Sequence, residues 1–240
     1  MENTKKHLTL GSYATYHGEV KSIDGKDVPY GLGVCRYADH EEWGWFKDGV
    51  LSGVAYINFH DFMRVGMMHD GKMNGWGLMV DRGKLEFGYY RNTELVFELT
   101  PLVEPIWKDI IKSAASCREA IIKILDYGVI FVGVPLGCAT HFSFRGRLGF
   151  HFLGNGEVYF GVCDYGHDER TGKFIRFDLD KDITIGEFVS DLLVREIDGD
   201  EFIGACDVED KQSCEDFERK VVYYYEMLSV FKKRTNIFNQ

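Results

Sequence analysis

The chain has 240 residues, 45% of them hydrophobic and 15% aromatic, and a formal net charge of −10. Nucleic acids and anionic membranes are bound by clusters of lysine and arginine, so this charge argues against both as partners. The aromatic content and the four prolines predict a folded chain, long enough for one large or two small domains. Six scattered cysteines and the lack of an apolar segment behind the polar amino terminus predict a cytoplasmic protein with reduced thiols.

The first half of the chain carries a repeat that follows a short predicted strand at residues 7–10. Gly44, Gly66 and Gly88 recur every 22 residues, which is typical of stacked supersecondary units. Asp48-Gly49 and Asp70-Gly71 separate apolar runs, and such pairs favour tight hairpins because glycine adopts positive φ without strain. Each repeat is therefore predicted to be a β-hairpin.

The spacing of these glycines resembles the MORN repeat, whose motif runs roughly Tyr-x-Gly-x-Trp-x-x-Gly-x-x-x-Gly-x-Gly. The resemblance covers about residues 13–92, with an insertion near 26–29 in the first copy, and weaker copies near 157–190. It implies a sheet of hairpins that serves as a scaffold. The best copies match the motif at the following positions: Gly66, Met68, Gly71, Gly75 and Gly77, and one repeat earlier Gly44, Phe46, Gly49 and Gly53.

Alternate residues of a strand share a face, so the repeats predict two faces of different character. One face is entirely apolar and is expected to be buried beneath one or more helices: Trp43, Trp45, Met67, Phe87 and Tyr89. On the other face, a partner-binding groove over the glycines is expected to be lined and edged by six residues: Phe46, Met68, Tyr90, Glu42, Arg64 and Glu86. The alternatives are that this second face is simply solvated, or that the C-terminal half already fills the groove.

The C-terminal half predicts a mixture of helices and short strands. The elements expected in chain order are a helix from Pro105, a second helix from Ser116 to Leu125, strands at 129–134, 141–144 and 150–153, hairpins at Asn155-Gly156 and Asp198-Gly199, and a helix capped by Ser213. The fold class is therefore expected to be α+β, mainly antiparallel β, with a repeat region at 1–98 and an α+β region at 99–240.

No catalytic constellation stands out, and no catalytic residue, metal ligand or cofactor is predicted. Three His-Asp pairs, at 60–61, 69–70 and 167–168, are interpreted as turn residues. Cys138 and His141 lie close together, but no activating partner for the thiol is identifiable.

The function expected from these observations is a non-catalytic protein-binding or scaffold module that binds a protein partner or itself. One alternative is a bacterial antitoxin or immunity protein, a role linked to some MORN-like proteins, in which an acidic chain would neutralise a basic toxin. The other is an enzyme in the C-terminal half, where His141, His151 and His167 would have to share a pocket.

Overall fold

The computed structural model shows a mostly antiparallel β protein with two sheets and little helix. The structure describes residues 4–59, 62–82, 84–104, 122–125, 129–135, 147–163 and 170–206. The chain divides into two compact units, one of residues 1–98 with 127–130 and 152–156, the other of the remaining residues. Within the described ranges, no helix is long and apolar enough to cross a membrane.

The first sheet has nine strands that follow one another in sequence order, each antiparallel to its neighbours. Consecutive hairpins produce this order because each strand pairs with the strand directly before and after it. The strands are β1 (Thr4–Leu10), β2 (Ala14–Ile23), β3 (Lys26–Tyr37), β4 (Glu41–Lys47), β5 (Val50–Phe59), β6 (Phe62–His69), β7 (Lys72–Asp81), β8 (Lys84–Arg91) and β9 (Glu94–Glu98).

The tight turns of this sheet repeat one geometry. Asp70 and Gly71 have φ values of 50° and 72°, the positive pair that a type I′ turn requires. The Gly71 amide then donates to the carbonyl of Leu51 at 3.0 Å, which ties this hairpin to the preceding one. The turn at Asn92 and Thr93 has the same positive φ pair without any glycine. The hairpins predicted at Asp48-Gly49 and Asp70-Gly71 are therefore confirmed, and hydrogen bonds link them in series.

Each hairpin also contains a bulge at a matched position. The strand register shifts between Gly44 and Phe46, and again between Gly66 and Met68. Opposite these shifts, Gly53 and Gly75 adopt φ values of 122° and 120°, which side chains other than glycine rarely accept. A bulge bends its strand and increases the local twist, so a bulge in every repeat curves the sheet progressively.

A row of small residues crosses the sheet, one per strand, and we call it the glycine row. Its members pair directly across β2 to β8: Gly18, Gly33, Gly44, Ala55, Gly66, Gly77 and Gly88. Large side chains lie over it, because a Cβ built on Gly33 would collide with the ring of Tyr16. A Cβ on Gly77 would collide with the sulfur of Met73 and would lie 3.1 Å from the ring of Tyr90. The row therefore makes room for bulky neighbours, as the sequence indicated for Tyr90.

The second sheet has seven strands, also in sequence order, and β13 to β16 pair antiparallel. Its last hairpin turns at Ser190 and Asp191, again with positive φ at both residues. The Asp191 amide donates to the carbonyl of Arg170 at 3.1 Å, the same link that joins hairpins in the first sheet. The strands are β10 (Ile122–Leu125), β11 (Val129–Pro135), β12 (Arg147–Phe152), β13 (Val158–Cys163), β14 (Gly172–Phe177), β15 (Ile183–Val189) and β16 (Leu192–Glu196).

Two helices lie in the described residues, α1 (100–104) and α2 (Gly199–Ala205), and α2 corrects a prediction. Asp198 does not turn a hairpin. Its carboxylate accepts a hydrogen bond from the Glu201 amide at 2.8 Å and so caps α2, whose first turn is acidic as the helix dipole favours. The strand β10 likewise replaces the end of the helix predicted from Ser116 to Leu125. The predicted elements at 105–115, 141–144 and 213–234 lie outside the described residues.

Candidate functional site

The three apolar residues expected to line an open groove are buried in the core of the first sheet. Phe46, Met68 and Tyr90 pack in one cluster with the residues opposite them in each hairpin, Leu51 and Met73 among them. The edge of the Tyr16 ring contacts the ring of Phe46 at a centroid distance of 5.2 Å, in the same cluster. The structure therefore differs from the expectation of an open groove, because side chains of the repeats themselves occupy the space above the glycine row.

Glu42, Arg64 and Glu86, the expected rim of the groove, are half-buried and lie on one line across the sheet, which we call the charged row. Ile57 stands between the first two in the ladder and Met79 between the last two, so about 10 Å separates neighbouring charges. No ion pair links the three in the part of the chain that is described. Any attraction between neighbouring members of the charged row is therefore at most long-range.

Tyrosine hydroxyl groups donate hydrogen bonds to the two glutamates of the charged row. Tyr90 donates to Glu86 at 2.6 Å and Tyr37 donates to Glu42 at 3.3 Å. Burial, together with the Glu86 carboxylate, raises the pKa of the Tyr90 phenol above its ordinary value. The Arg64 guanidinium lies 4.8 Å over the ring of Phe62, and burial lowers the pKa of Arg64. The row is thus held in place by contacts within the first sheet.

The opposite face of the same sheet is only partly buried, which corrects the expectation of a fully covered face. Val54, Val65, Trp76 and Leu78 on this face are buried, but several of its aromatic side chains remain partly in water. Trp45 is 37% exposed, and only Phe87 of the five residues named for this face is fully buried. The backbone explains this, because Trp45 lies opposite the bulge at Gly53, where the bent strand gives it little cover. We call the exposed and half-exposed members of this face the aromatic face: Trp43, Trp45, Tyr56, Met67 and Tyr89.

Polar contacts hold one end of the aromatic face in a fixed arrangement. The Trp43 indole N–H donates to Glu41 at 3.0 Å, and the Arg36 guanidinium lies 5.6 Å over the same ring. Arg36 and Glu41 form an ion pair at 2.9 Å that completes this group. Tyr56 lies directly opposite Trp43 in the ladder and was missed by the sequence reasoning, although its spacing from Val54 indicates the same face.

The second sheet contains a buried cation and a buried histidine. Arg170 is almost fully buried, pairs with Asp191 and lies 5.2 Å over the ring of Tyr159. His151 is packed edge-on against Phe131 at 4.9 Å. His141 and His167, its expected companions in an enzymatic pocket, lie outside the described residues, as do Cys138 and two of the three His-Asp pairs. The described one, His69-Asp70, is in a turn as interpreted.

One open cleft of about 480 Å³ lies on the second sheet. Its polar residues include Arg176, Asp178 and Asp182, and the Asp178 carboxylate accepts a hydrogen bond from the Asp182 amide at 2.8 Å. The aspartate pair therefore closes the turn between β14 and β15. Among the residues that the structure describes, no three His, Cys, Asp or Glu side chains are grouped to hold a metal ion.

No family model matches this chain, and no curated protein matches it significantly. The case for a function therefore depends on the surfaces described above.

Proposed function

We propose that this chain is a non-catalytic protein-binding module built on MORN-type repeats, in an α+β fold that is mainly antiparallel β. Three features support the repeat assignment: hairpins with positive-φ turns, a bulge glycine in successive hairpins, and the glycine row that bulky side chains cover. Each hairpin contacts its neighbours in the sheet, as solenoid-like scaffolds do. Side chains on strands are positioned more precisely than side chains on loops, which suits a surface that recognises a partner.

The observation that carries the proposal is the exposure of Trp45 in the aromatic face. Tryptophan, tyrosine, methionine and arginine are enriched where protein interfaces are best packed. A tryptophan that is one-third exposed on a sheet gains free energy when a partner removes it from water. Trp43, fixed by Glu41 and Arg36, loses little side-chain freedom on binding, which favours affinity. We infer that the partner binds this face.

The charge of the chain restricts the partner further. A net charge of −10 favours proteins with a basic surface through long-range attraction and opposes polyanions. The antitoxin or immunity role is a narrower form of the same proposal, in which the basic partner is a toxin. Its test is co-expression with the product of a neighbouring gene, and rescue of growth by this chain is the result expected.

The proposal is tested by affinity capture from a lysate of the source cells with three forms of the full chain. Trp45→Ala should reduce recovery of the partner at least tenfold, as expected when an interface anchor is truncated. Tyr13→Ala is the matched control, because Tyr13 is 82% exposed and lies outside the aromatic face. The melting temperature of Tyr13→Ala should stay within about 2 °C of the wild type, since surface substitutions cost little stability. Trp45→Ala should lower it, because most of that ring is covered, so recovery is compared well below the melting temperature of every form. Equal recovery by all three forms would contradict the proposal.

A further inference from the structure

The hairpin of β15 and β16 exposes an unusual concentration of apolar side chains. Of the ten large hydrophobic residues that are exposed in the described part of the chain, four lie within six consecutive positions. Leu193 pairs with the buried Phe188 and lies over Gly186, on the other face of the hairpin. We call the remaining three the β16 patch: Val189, Leu192 and Val194. Soluble proteins seldom leave such residues contiguous and open, and where they do, the patch usually marks a contact. The patch belongs to the second sheet and does not depend on the aromatic face.

The other outer strands whose side chains are described carry charges of one sign, whereas the two charges of β16, on Arg195 and Glu196, have opposite signs. Strand β1 presents Lys5 and Lys6, and β9 has Glu94 and Glu98 at its two ends. Like charges of this kind prevent two copies of an edge from meeting. Strand β16 begins with Leu-Leu-Val, and its first charge is Arg195. The contrast is one of side-chain chemistry, because β9 and β16 share the same register shift.

The charged residues that share a face with the β16 patch, Lys173, Glu187 and Arg195, are paired within the chain. Arg195 donates to Glu187 at 2.8 Å and pairs with Glu201, while Lys173 pairs with Glu201 at 2.9 Å. Two cations and two anions therefore balance beside the patch, although the whole chain carries −10. Two acidic copies approaching through this surface bring no excess of like charge together, so self-contact here avoids the repulsion that much of the surface would impose.

We propose that the β16 patch is the contact surface between two copies of this chain, related by two-fold symmetry. A two-fold contact uses the same patch on both copies, and an apolar patch with a neutral rim is complementary to itself. The contact is made by side chains, because the shift between Glu187 and Phe188 interrupts the regular ladder that a continuous sheet would need. The three side chains present on the order of 300 Å² per copy, which places the pair among weak, concentration-dependent contacts.

The test compares Val194→Lys with Val96→Lys in the full-length chain. Val96 occupies the equivalent bulge position in the β8–β9 hairpin and is 40% exposed, against 60% for Val194. Sedimentation equilibrium from about 1 µM to about 500 µM covers the range expected for a weak pair. The wild type and Val96→Lys should rise from 27.6 kDa towards twice that mass. Val194→Lys should stay near 27.6 kDa, with dissociation shifted at least tenfold.

Two results would overturn the proposal. The first is a wild-type mass of 27.6 kDa over the whole concentration range, and the second is equal association of both lysine variants. Leu192→Lys provides a second measurement, since Leu192 is 73% exposed and its replacement should leave the melting temperature unchanged. A monomeric wild type together with a lower melting temperature for Leu192→Lys would mean that residues 207–240 of the same chain cover the patch, and the self-contact would then be refuted. Neither result bears on capture through the aromatic face.

Discussion

Replacing Tyr90 by alanine distinguishes a core residue from a groove residue. The Tyr90 side chain is fully buried, lies over Gly77 and donates its hydroxyl hydrogen to Glu86 at 2.6 Å. The substitution opens a cavity beside Met73 in the core cluster. If Tyr90 instead lined an open groove, the same substitution would leave stability almost unchanged.

The expected cost follows from what the side chain contacts. Truncation of a buried aromatic residue to alanine costs about 3–5 kcal/mol in free energy of unfolding. The hydrogen bond to the Glu86 carboxylate contributes about 1–3 kcal/mol, because bonds to charged groups are the stronger ones. Tyr90→Phe removes only that bond and should lose only the second amount. Tyr90→Ala should reach the upper end of the first range, about 5 kcal/mol, or roughly 10–20 °C in melting temperature for a chain of this size.

Tryptophan fluorescence during urea unfolding suits this measurement. Trp43, Trp45 and Trp76 are three of the four tryptophans and all lie in the first sheet, so the signal reports mainly on the unit that holds Tyr90. Tyr13→Ala is again the matched control, since this exposed tyrosine should cost less than about 0.5 kcal/mol. A loss in free energy of unfolding below about 1 kcal/mol for Tyr90→Ala would refute the assignment of this residue to the core, because a cavity of that size costs more.

Three further predictions concern other parts of the fold. Gly77→Ala should cost about 1–3 kcal/mol by urea unfolding, because its methyl group would collide with Met73, and an unchanged midpoint would contradict the close packing over the glycine row. Asp198→Ala should cost about 0.5–2 kcal/mol, since it removes the cap on the Glu201 amide, and Asp198→Asn should retain most of that stability. Burial raises the pKa of Tyr16 to about 12, from an ordinary value of 10.0, so its neutral form contributes stability that is complete below pH 10.0 and lost as the pH rises through 12. Tyr16→Phe should therefore flatten the fall in melting temperature over that interval, and an identical slope for both proteins would count against the shift.

Local chemistry made the hairpins of the first sheet predictable. Asp48-Gly49 and Asp70-Gly71 predict positive-φ turns, and the structure has such turns at those residues. The turns at 92–93 and 190–191 were missed because they carry no glycine. At both turns, hydrogen bonds that involve side chains tie the turn to residues earlier in the chain and support the unusual backbone. The Asn92 amide donates to Asn74 at 3.0 Å, and the Arg170 amide donates to Asp191 at 2.8 Å. Such a bond joins residues about 20 positions apart, so no local pattern reveals it.

For the candidate surfaces too, the local features were predictable from the sequence and the non-local ones were not. The spacing of residues correctly placed Trp43 and Trp45 on one face and Phe46 on the other, since alternation along a strand is a local property. Whether a face is covered is not local. The Leu-Leu-Val run of β16 was available in the sequence but was not singled out, because apolar strands are usually buried.

The sequence by itself determined that the first half of the chain is a series of hairpins with a 22-residue period, because turn residues and glycine spacing act over a few positions. Only the tertiary structure decided which side chains of each face became core. Gly53 and Gly75 form bulges that bend their strands, and Tyr16, Met73 and Tyr90 cover the glycine row, while Trp45 remains partly in water. The free energy of burying a side chain depends on all the strands that surround it. It is therefore determined only once the strands have assembled into the curved sheet.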